Sequence, residues 1–97
     1  MNDNFWLNKS VLITGHTGFK GSWLTLWLLT LGAKVNGFSL KVSDEQKLFI
    51  NLFLENKENS TNLLGTLNNH EGDINDFNGL KKFVTNVKPD IVFHLAA

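Results

Sequence analysis

The sequence predicts an α/β fold with a doubly wound parallel sheet, made of about four strands and three helices. Three observations support this prediction. Short apolar runs, typical of buried strands, alternate with segments of helical periodicity. The first strand, its helix and the second strand together take about thirty residues, the length of one parallel crossover unit. Glycines are also concentrated between the first strand and the helix that follows it.

The first crossover unit has the clearest pattern. Residues 9–14, KSVLIT, are rich in β-branched side chains, which is typical of a strand buried on both faces. A helix follows from about Phe19 to Leu31, and Gly32 is placed to adopt the left-handed conformation that ends it. A second strand is predicted over residues 34–40. The expected apolar positions of the helix are Trp23, Leu24, Leu26, Trp27, Leu28 and Leu31.

The later elements follow the same alternation. Residues 43–54 indicate a short helix with Ser43 as its N-cap, and residues 55–62 form a polar loop. A third strand is expected within residues 64–71, and a fourth over residues 90–97. A third helix lies between these two strands, with apolar positions at Phe77, Leu80, Val84 and Val87.

Composition narrows the classes of function. Nine lysines balance nine acidic residues and arginine is absent, so neither nucleic acid nor an anionic membrane is an expected partner. The lack of cysteine excludes disulfides and thiol nucleophiles within this sequence, and the three histidines are too scattered to predict a metal site. The N-terminus shows no signal-peptide pattern, and we expect a cytoplasmic protein.

The stretch TGHTGFKG predicts a phosphate-binding loop. Gly15 permits a tight turn after the strand, Gly18 lets a pyrophosphate approach the backbone, and Gly21 lets the helix pack closely. The first turn of the helix adds unpaired N–H groups and the positive end of its dipole. The mononucleotide P-loop pattern, G-x-x-x-x-G-K-[ST], is excluded because Lys20 comes before Gly21.

Two side chains in this loop have open roles. Lys20 could add positive charge beside the phosphate, or it could point to solvent from the first helical turn. The ring of His16 could approach the pyrophosphate, where its charge would vary near neutral pH, or it could turn to solvent or stack on a neighbour.

The spacing G-x-x-G-x-x-G after a threonine resembles the extended branch of the short-chain dehydrogenase/reductase superfamily, whose cofactor domain is of the Rossmann type. The run FW…K.VLITGHTGFKGSWL.LWL..LGA.V.GFSL further resembles the CDP-glucose 4,6-dehydratase family, since many related nucleotide-sugar enzymes carry an aliphatic residue where this chain has Lys20. The resemblance implies that residues 1–97 form the N-terminal part of an NAD(P)-binding domain, without its C-terminal remainder or the substrate domain.

The same resemblance implies how the cofactor is held. Asp73, in GDIND, would hydrogen-bond the adenine amino group, although a turn or N-cap role would also explain it. Ile74 would lie against the adenine face, and the small residues that end HLAA would let the cofactor pass close to the backbone. The expected cofactor-binding residues are Gly15, His16, Thr17, Gly18, Phe19, Lys20, Gly21, Ser39, Lys41, Asp73, Ile74, Leu95, Ala96 and Ala97.

The choice between NAD and NADP stays open at the end of the second strand. An acidic residue that would bond the ribose hydroxyls is missing there, and the stretch is GFSLKVS. Ser39 could bond a ribose hydroxyl, whereas Lys41 could meet a 2′-phosphate by charge. The family resemblance favours NAD.

The resemblance also implies a reaction on a nucleotide sugar. Family members oxidise C4 of CDP-glucose with bound NAD, eliminate water across C5 and C6, and return the hydride to C6. Their catalytic Tyr-x-x-x-Lys pair is expected beyond residue 97 because this chain has no tyrosine, so no catalytic residue is assigned and these residues alone are expected to be inactive. The whole protein is expected to be a homo-oligomer. A non-catalytic NAD(P)-binding module, or another nucleotide-sugar dehydratase or epimerase, are the alternatives.

Overall fold

The computed structural model of the chain describes residues 4–55 and 63–96. The predicted polar loop therefore lies almost wholly outside the described residues. The elements, in order, are β1 (Ser10–Thr14), α1 (Phe19–Thr30), β2 (Lys34–Ser39), α2 (Lys47–Phe49, continued by a π-helical segment, Ile50–Glu55), β3 (Thr66–Glu71), α3 (Phe77–Val87) and β4 (Ile91–His94).

The four strands form one parallel sheet in the order β3-β2-β1-β4. Ser10 of β1 is paired with Lys34 of β2, and Thr14 is paired with His94 of β4. The predicted α/β fold is therefore confirmed. Because the strands are parallel, all four carboxyl ends meet at one edge of the sheet, which is where ligands bind in folds of this kind.

Two apolar clusters cover the two faces of the sheet. Side chains along β1 alternate between them: Val11 and Ile13 enter the larger cluster, and Leu12 enters the smaller one with Phe38 and Phe83. All three β1 residues are buried, which confirms the expectation of a strand covered on both sides. The other buried members of the larger cluster are Leu28, Leu29, Ala33, Val35, Phe49 and Phe53.

Helix α1 has the predicted length, and Gly32 ends it with a φ of +89° as expected. The expected apolar positions of the helix do not all face inward. Trp23 and Trp27 are 49% and 50% exposed, and the residues that pack inward are Gly21, Ser22, Thr25, Leu28 and Leu29. Gly21 explains the rotation, since a Cβ there would lie 2.2 Å from the carbonyl oxygen of Gly15, and positions one and two turns later share its face.

The start of α2 also differs from the prediction. Ser43 is not the N-cap, and the helix begins at Lys47 after Gln46. The Ser43 N–H donates to Gln46 Oε1 at 3.0 Å, and the Gln46 N–H donates to the Ser43 carbonyl oxygen at 3.0 Å. These two bonds close residues 43–46 into a turn, which delays the helix by one turn. The π-helical continuation buries Phe53 beside Phe49 of α2.

The second half of the chain follows the prediction closely. Helix α3 begins after Asp76, whose side chain accepts the Gly79 N–H at 3.2 Å, and it ends at Lys88 in the left-handed conformation. β4 is shorter than the predicted run and lies at an edge of the sheet. Its residue Val92 is 53% exposed, so one face of this strand lacks the cover that β1 has.

Candidate functional site

A cleft of about 340 Å³ opens at the carboxyl ends of the strands. It lies where β1 gives way to the glycine-rich loop, between the chain segments that leave β2, β3 and β4. Eight of its lining residues were expected from the sequence, and four were not. The lining residues are Gly15, Thr17, Gly18, Ser39, Leu40, Gln46, Gly72, Asp73, Ile74, Asn75, Leu95 and Ala96.

Gly15 makes the turn that starts the loop. Its φ of +77° is a conformation that side chains disfavour, and its N–H donates to the Phe38 carbonyl oxygen at 2.9 Å. An added Cβ would lie 2.7 Å from the backbone nitrogen of Ala96. The loop and the segment after β4 are thus packed backbone against backbone, which fixes two walls of the cleft relative to each other.

Gly18 presents an open backbone surface to the cleft. A Cβ placed there would meet nothing closer than the Gly15 carbonyl oxygen, at 3.6 Å. Helix α1 starts directly after Gly18, and no side chain caps it. The N–H groups of its first turn, with the positive end of the helix dipole, therefore lie beside open space. This arrangement fits a pyrophosphate.

His16 lies behind the loop rather than in the cleft. Its side chain is fully buried, with Nε2 2.6 Å from Asn69 Oδ1 and its ring edge-on to Phe49 at 5.2 Å. Burial lowers the pKa of His16 below its usual value, and the hydrogen bond to Asn69 opposes this only in part. The neutral ring ties the loop to β3 and α2. Of the two open roles, contact with a neighbour is the one that the structure shows.

Four other predicted residues among those described do not line the cleft. Phe19 is 70% exposed, and Lys20 and Lys41 are exposed as well. Gly21 is buried against His16, where it allows the close approach of α1 to the loop. Ala97 lies outside the described residues.

Asp73 and Ile74 combine structural roles with positions on the cleft. Asp73 Oδ1 accepts the Asn75 N–H at 2.9 Å, so part of this carboxylate stabilises the turn after β3. No hydrogen bond from the described residues engages Oδ2. Ile74 packs on the cluster that contains Phe38 and also lines the cleft.

The wall after β4 is fixed by one threonine. Thr14 Oγ1 lies 2.6 Å from His94 Nδ1, and it accepts the Ala96 N–H at 3.4 Å. The Leu95 N–H donates to the Thr14 carbonyl oxygen at 2.9 Å. These bonds hold the small residue Ala96 against Gly15, so the backbone itself forms this side of the cleft.

Gln46 is the lining residue that was hardest to expect from sequence patterns. Its Nε2 donates to Thr17 Oγ1 at 2.8 Å, although 29 positions separate the two residues. Thr17 Oγ1 in turn donates to Ser39 Oγ at 3.2 Å. The link depends on the turn at residues 43–46, which no local pattern indicated. Leu40, Gly72 and Asn75 were also not expected.

A larger hollow, of about 590 Å³, lies between α2 and the start of β3. Leucines and phenylalanines form most of its wall, and Thr66 and Asn69 are its polar side chains. Its described lining residues offer no glycine-rich loop and no helix N-terminus to an anion, so the cleft at the strand ends is the candidate site.

Two further observations concern the described part of the chain. Within residues 4–55 and 63–96, no helix has the length and apolar character that crossing a membrane requires. In the same ranges, no three side chains of His, Cys, Asp or Glu come together where they could hold a metal ion.

Comparison with known proteins gives consistent matches. A family model described as GDP-mannose 4,6 dehydratase matches residues 12–97. The CDP-glucose 4,6-dehydratase of Salmonella typhimurium is 45% identical over 97% of this chain, and GDP-mannose 4,6 dehydratase 1 of Arabidopsis thaliana is 36% identical over 92% of it. The chain spans only 24% of the length of each relative. A solved epimerase structure from Methanothermobacter thermautotrophicus superimposes with a TM-score of 0.70 at 31% identity, over 98% of this chain and 24% of that one.

Proposed function

The chain belongs to the GDP-mannose 4,6 dehydratase family, which confirms the predicted resemblance. From this premise we propose that it is the N-terminal, cofactor-binding portion of a nucleotide-sugar 4,6-dehydratase. The observation that carries the proposal is the open backbone at Gly18 beside the uncapped start of α1. Residues 1–97 then form the first part of a longer NAD(P)-binding domain, and the rest of that domain and the substrate domain lie in the remainder of the protein.

Different residues of the cleft bind different parts of the cofactor. The backbone at Gly18 and the first turn of α1 bind the pyrophosphate. Oδ2 of Asp73 accepts from the adenine amino group, and Ile74 covers the adenine face. Thr17 and Ser39 lie at the part of the cleft that receives the adenosine ribose. The bound cofactor supplies a reversible hydride acceptor for the sugar, and this chain holds its adenine half.

We propose NAD rather than NADP as the cofactor, and the lining of the cleft supports this choice. Among the described residues that line it, Asp73 is the charged one, and no lysine is present to offset a 2′-phosphate. Lys41, the candidate for that role, is exposed and outside the lining. A phosphate group would therefore enter a site that holds a carboxylate and lacks a cation.

CDP-glucose is the proposed substrate, with CDP-4-keto-6-deoxyglucose as the product. The higher identity to the Salmonella typhimurium CDP-glucose 4,6-dehydratase than to the plant GDP-mannose 4,6 dehydratase supports this choice. The full protein is then a lyase, with its catalytic tyrosine beyond residue 97, and these 97 residues alone are inactive. We further propose a cytoplasmic homo-oligomer, with neither nucleic acid nor a membrane as a partner.

The experiment uses the full-length protein that carries this chain. It is incubated with CDP-glucose or GDP-mannose, and loss of one water from the nucleotide sugar is followed by mass spectrometry. We expect dehydration of CDP-glucose in preference to GDP-mannose. Dehydration of GDP-mannose alone, or epimerisation without loss of water, would assign another substrate or reaction. Binding of NAD without any turnover would identify a non-catalytic module instead.

A further inference from the structure

A continuous chain of hydrogen bonds runs along one wall of the cleft. The Ser43 N–H donates to Gln46 Oε1 at 3.0 Å, and Gln46 Nε2 donates to Thr17 Oγ1 at 2.8 Å. Thr17 Oγ1 donates to Ser39 Oγ at 3.2 Å, and Ser39 Oγ donates to the Leu40 carbonyl oxygen at 3.0 Å. The chain thus joins the turn after β2, the glycine-rich loop and the end of β2.

Backbone groups at both ends set the direction of this chain. A backbone N–H can only donate, so Ser43 requires the oxygen of the Gln46 amide and turns its nitrogen toward Thr17. A carbonyl oxygen can only accept, so Leu40 takes the Ser39 proton, and Ser39 must then accept from Thr17. Both ends impose the same direction.

The direction decides what the two hydroxyls can offer a ligand. Each hydroxyl has one proton and two acceptor lone pairs. In Thr17 and Ser39 the proton and one lone pair are already used within the chain, so each residue keeps an acceptor and no donor. The second N–H of the Gln46 side-chain amide is the donor that remains unused in this chain of hydrogen bonds.

We propose that Gln46 is a positioning residue for cofactor specificity: it holds Thr17 and Ser39 as an acceptor pair that binds the adenosine 2′-hydroxyl and disfavours a 2′-phosphate. A ribose hydroxyl can donate to either acceptor. A phosphate at neutral pH carries negative charge and only acceptor oxygens, so it gains no hydrogen bond from the two hydroxyls, and the described lining of the cleft holds no cation to offset its charge. The inference rests on the proposed binding of NAD.

The test measures affinity by calorimetric titration of the full-length protein with NAD, with NAD lacking the adenosine 2′-hydroxyl, and with NADP. The wild-type protein is expected to bind NAD about 3- to 10-fold more tightly than the 2′-deoxy analogue, the range that one neutral hydrogen bond provides. NADP is expected to bind more weakly than NAD.

Two variants separate positioning from general support. Gln46→Glu keeps the shape and the Ser43 bond but offers Thr17 an acceptor in place of a donor, which turns the Thr17 proton away from Ser39. Gln46→Met keeps the volume and removes both polar contacts. Both hydroxyls keep acceptor lone pairs in each variant, but Gln46 no longer positions them to receive the 2′-hydroxyl proton, so the preference for NAD over the 2′-deoxy analogue should fall below about 2-fold. Lys47→Gln, an exposed neighbour with the same change in charge as Gln46→Glu, should retain the wild-type preference.

The outcomes distinguish this inference from the proposed function. If neither NAD nor NADP binds, the proposed function itself is wrong. If wild-type protein binds NAD and its 2′-deoxy analogue with equal affinity, or binds NADP as tightly as NAD, the acceptor pair does not recognise the 2′ position. If the variants weaken NAD and its 2′-deoxy analogue equally, Gln46 is only structural support and the inference is overturned.

Discussion

His16 belongs to the glycine-rich loop, but it supports the loop from its buried side and does not line the cleft. Its ring occupies the space over Gly37, where an added Cβ would lie 2.3 Å from the ring. Nε2 is hydrogen-bonded to Asn69, whereas Nδ1 is buried and has no hydrogen-bond partner among the described residues. A charged imidazole would need a partner for both nitrogens, so this environment suits the neutral form.

The lowered pKa of His16 gives stability a pH dependence with a defined sign. The unfolded chain binds a proton more readily than the folded one, so stability falls as the pH drops from about 6.5 through the folded-state pKa. His16→Gln should be less stable at neutral pH but lose less on acidification. Thermal unfolding of wild type and variant at about pH 7.5 and pH 5 measures this, with His70→Gln, at an exposed histidine, as the control. Equal acid losses in all three proteins would contradict the assignment.

Helix α1 shows which part of an element the sequence predicts and which part it does not. Its length and its end at Gly32 follow from local chemistry and were predicted correctly. Its buried face does not follow from hydrophobicity, because close contact at Gly21 turns Ser22 and Thr25 inward and Trp23 outward. Backbone contact between the helix and the loop that precedes it, which apolar periodicity does not encode, decides the rotation.

The same distinction applies to the site. The glycine-rich loop was predictable because each glycine has a local conformational reason. Gln46 was not, since its place in the cleft depends on a turn that closes over a loop 29 positions away. Ser43, a strong N-cap residue by type, was predicted to start α2, and its N–H is instead bound by Gln46.

Helix α3 offers a direct test of an element boundary. The Asp76 carboxylate accepts the Gly79 N–H, which is one of the unpaired donors of the first helical turn. Asp76→Ala should lower the free energy of unfolding by about 0.5–2 kcal/mol. Chemical denaturation measures the change, and Asp44→Ala, at an exposed aspartate, serves as the control. A loss no larger than that of the control would show that the cap does not stabilise the helix.

At the scale of the whole molecule, part of the exposed apolar surface lies on α1, on β4 and on the segment before β1. The exposed large apolar residues of these three parts include Phe5, Phe19, Trp23, Trp27 and Val92. Relatives that this chain matches are about four times as long, since the chain covers 24% of each. We expect the remaining part of the proposed cofactor domain to cover part of this surface.

The 97 residues expressed alone should therefore fold poorly. We expect binding of a hydrophobic dye and a broad thermal transition by calorimetry, because the exposed aromatic side chains and the β4 edge lack cover. The full-length protein should bind little dye and unfold sharply. A sharp, cooperative transition of the isolated chain without dye binding would show that it is a complete folding unit.

The central claim is that the open backbone at Gly18 receives the pyrophosphate of NAD. Gly18 has extended backbone angles that any residue adopts, and a Cβ there has room within the fold, so Gly18→Ala should leave the melting temperature unchanged. The most direct test is calorimetric titration of full-length wild type, Gly18→Ala and the exposed-site control Asn78→Ala with NAD. We predict that Gly18→Ala alone loses about tenfold or more in affinity, because its methyl group occupies the space of the pyrophosphate. A Gly18→Ala protein that binds NAD as tightly as wild type would contradict the account.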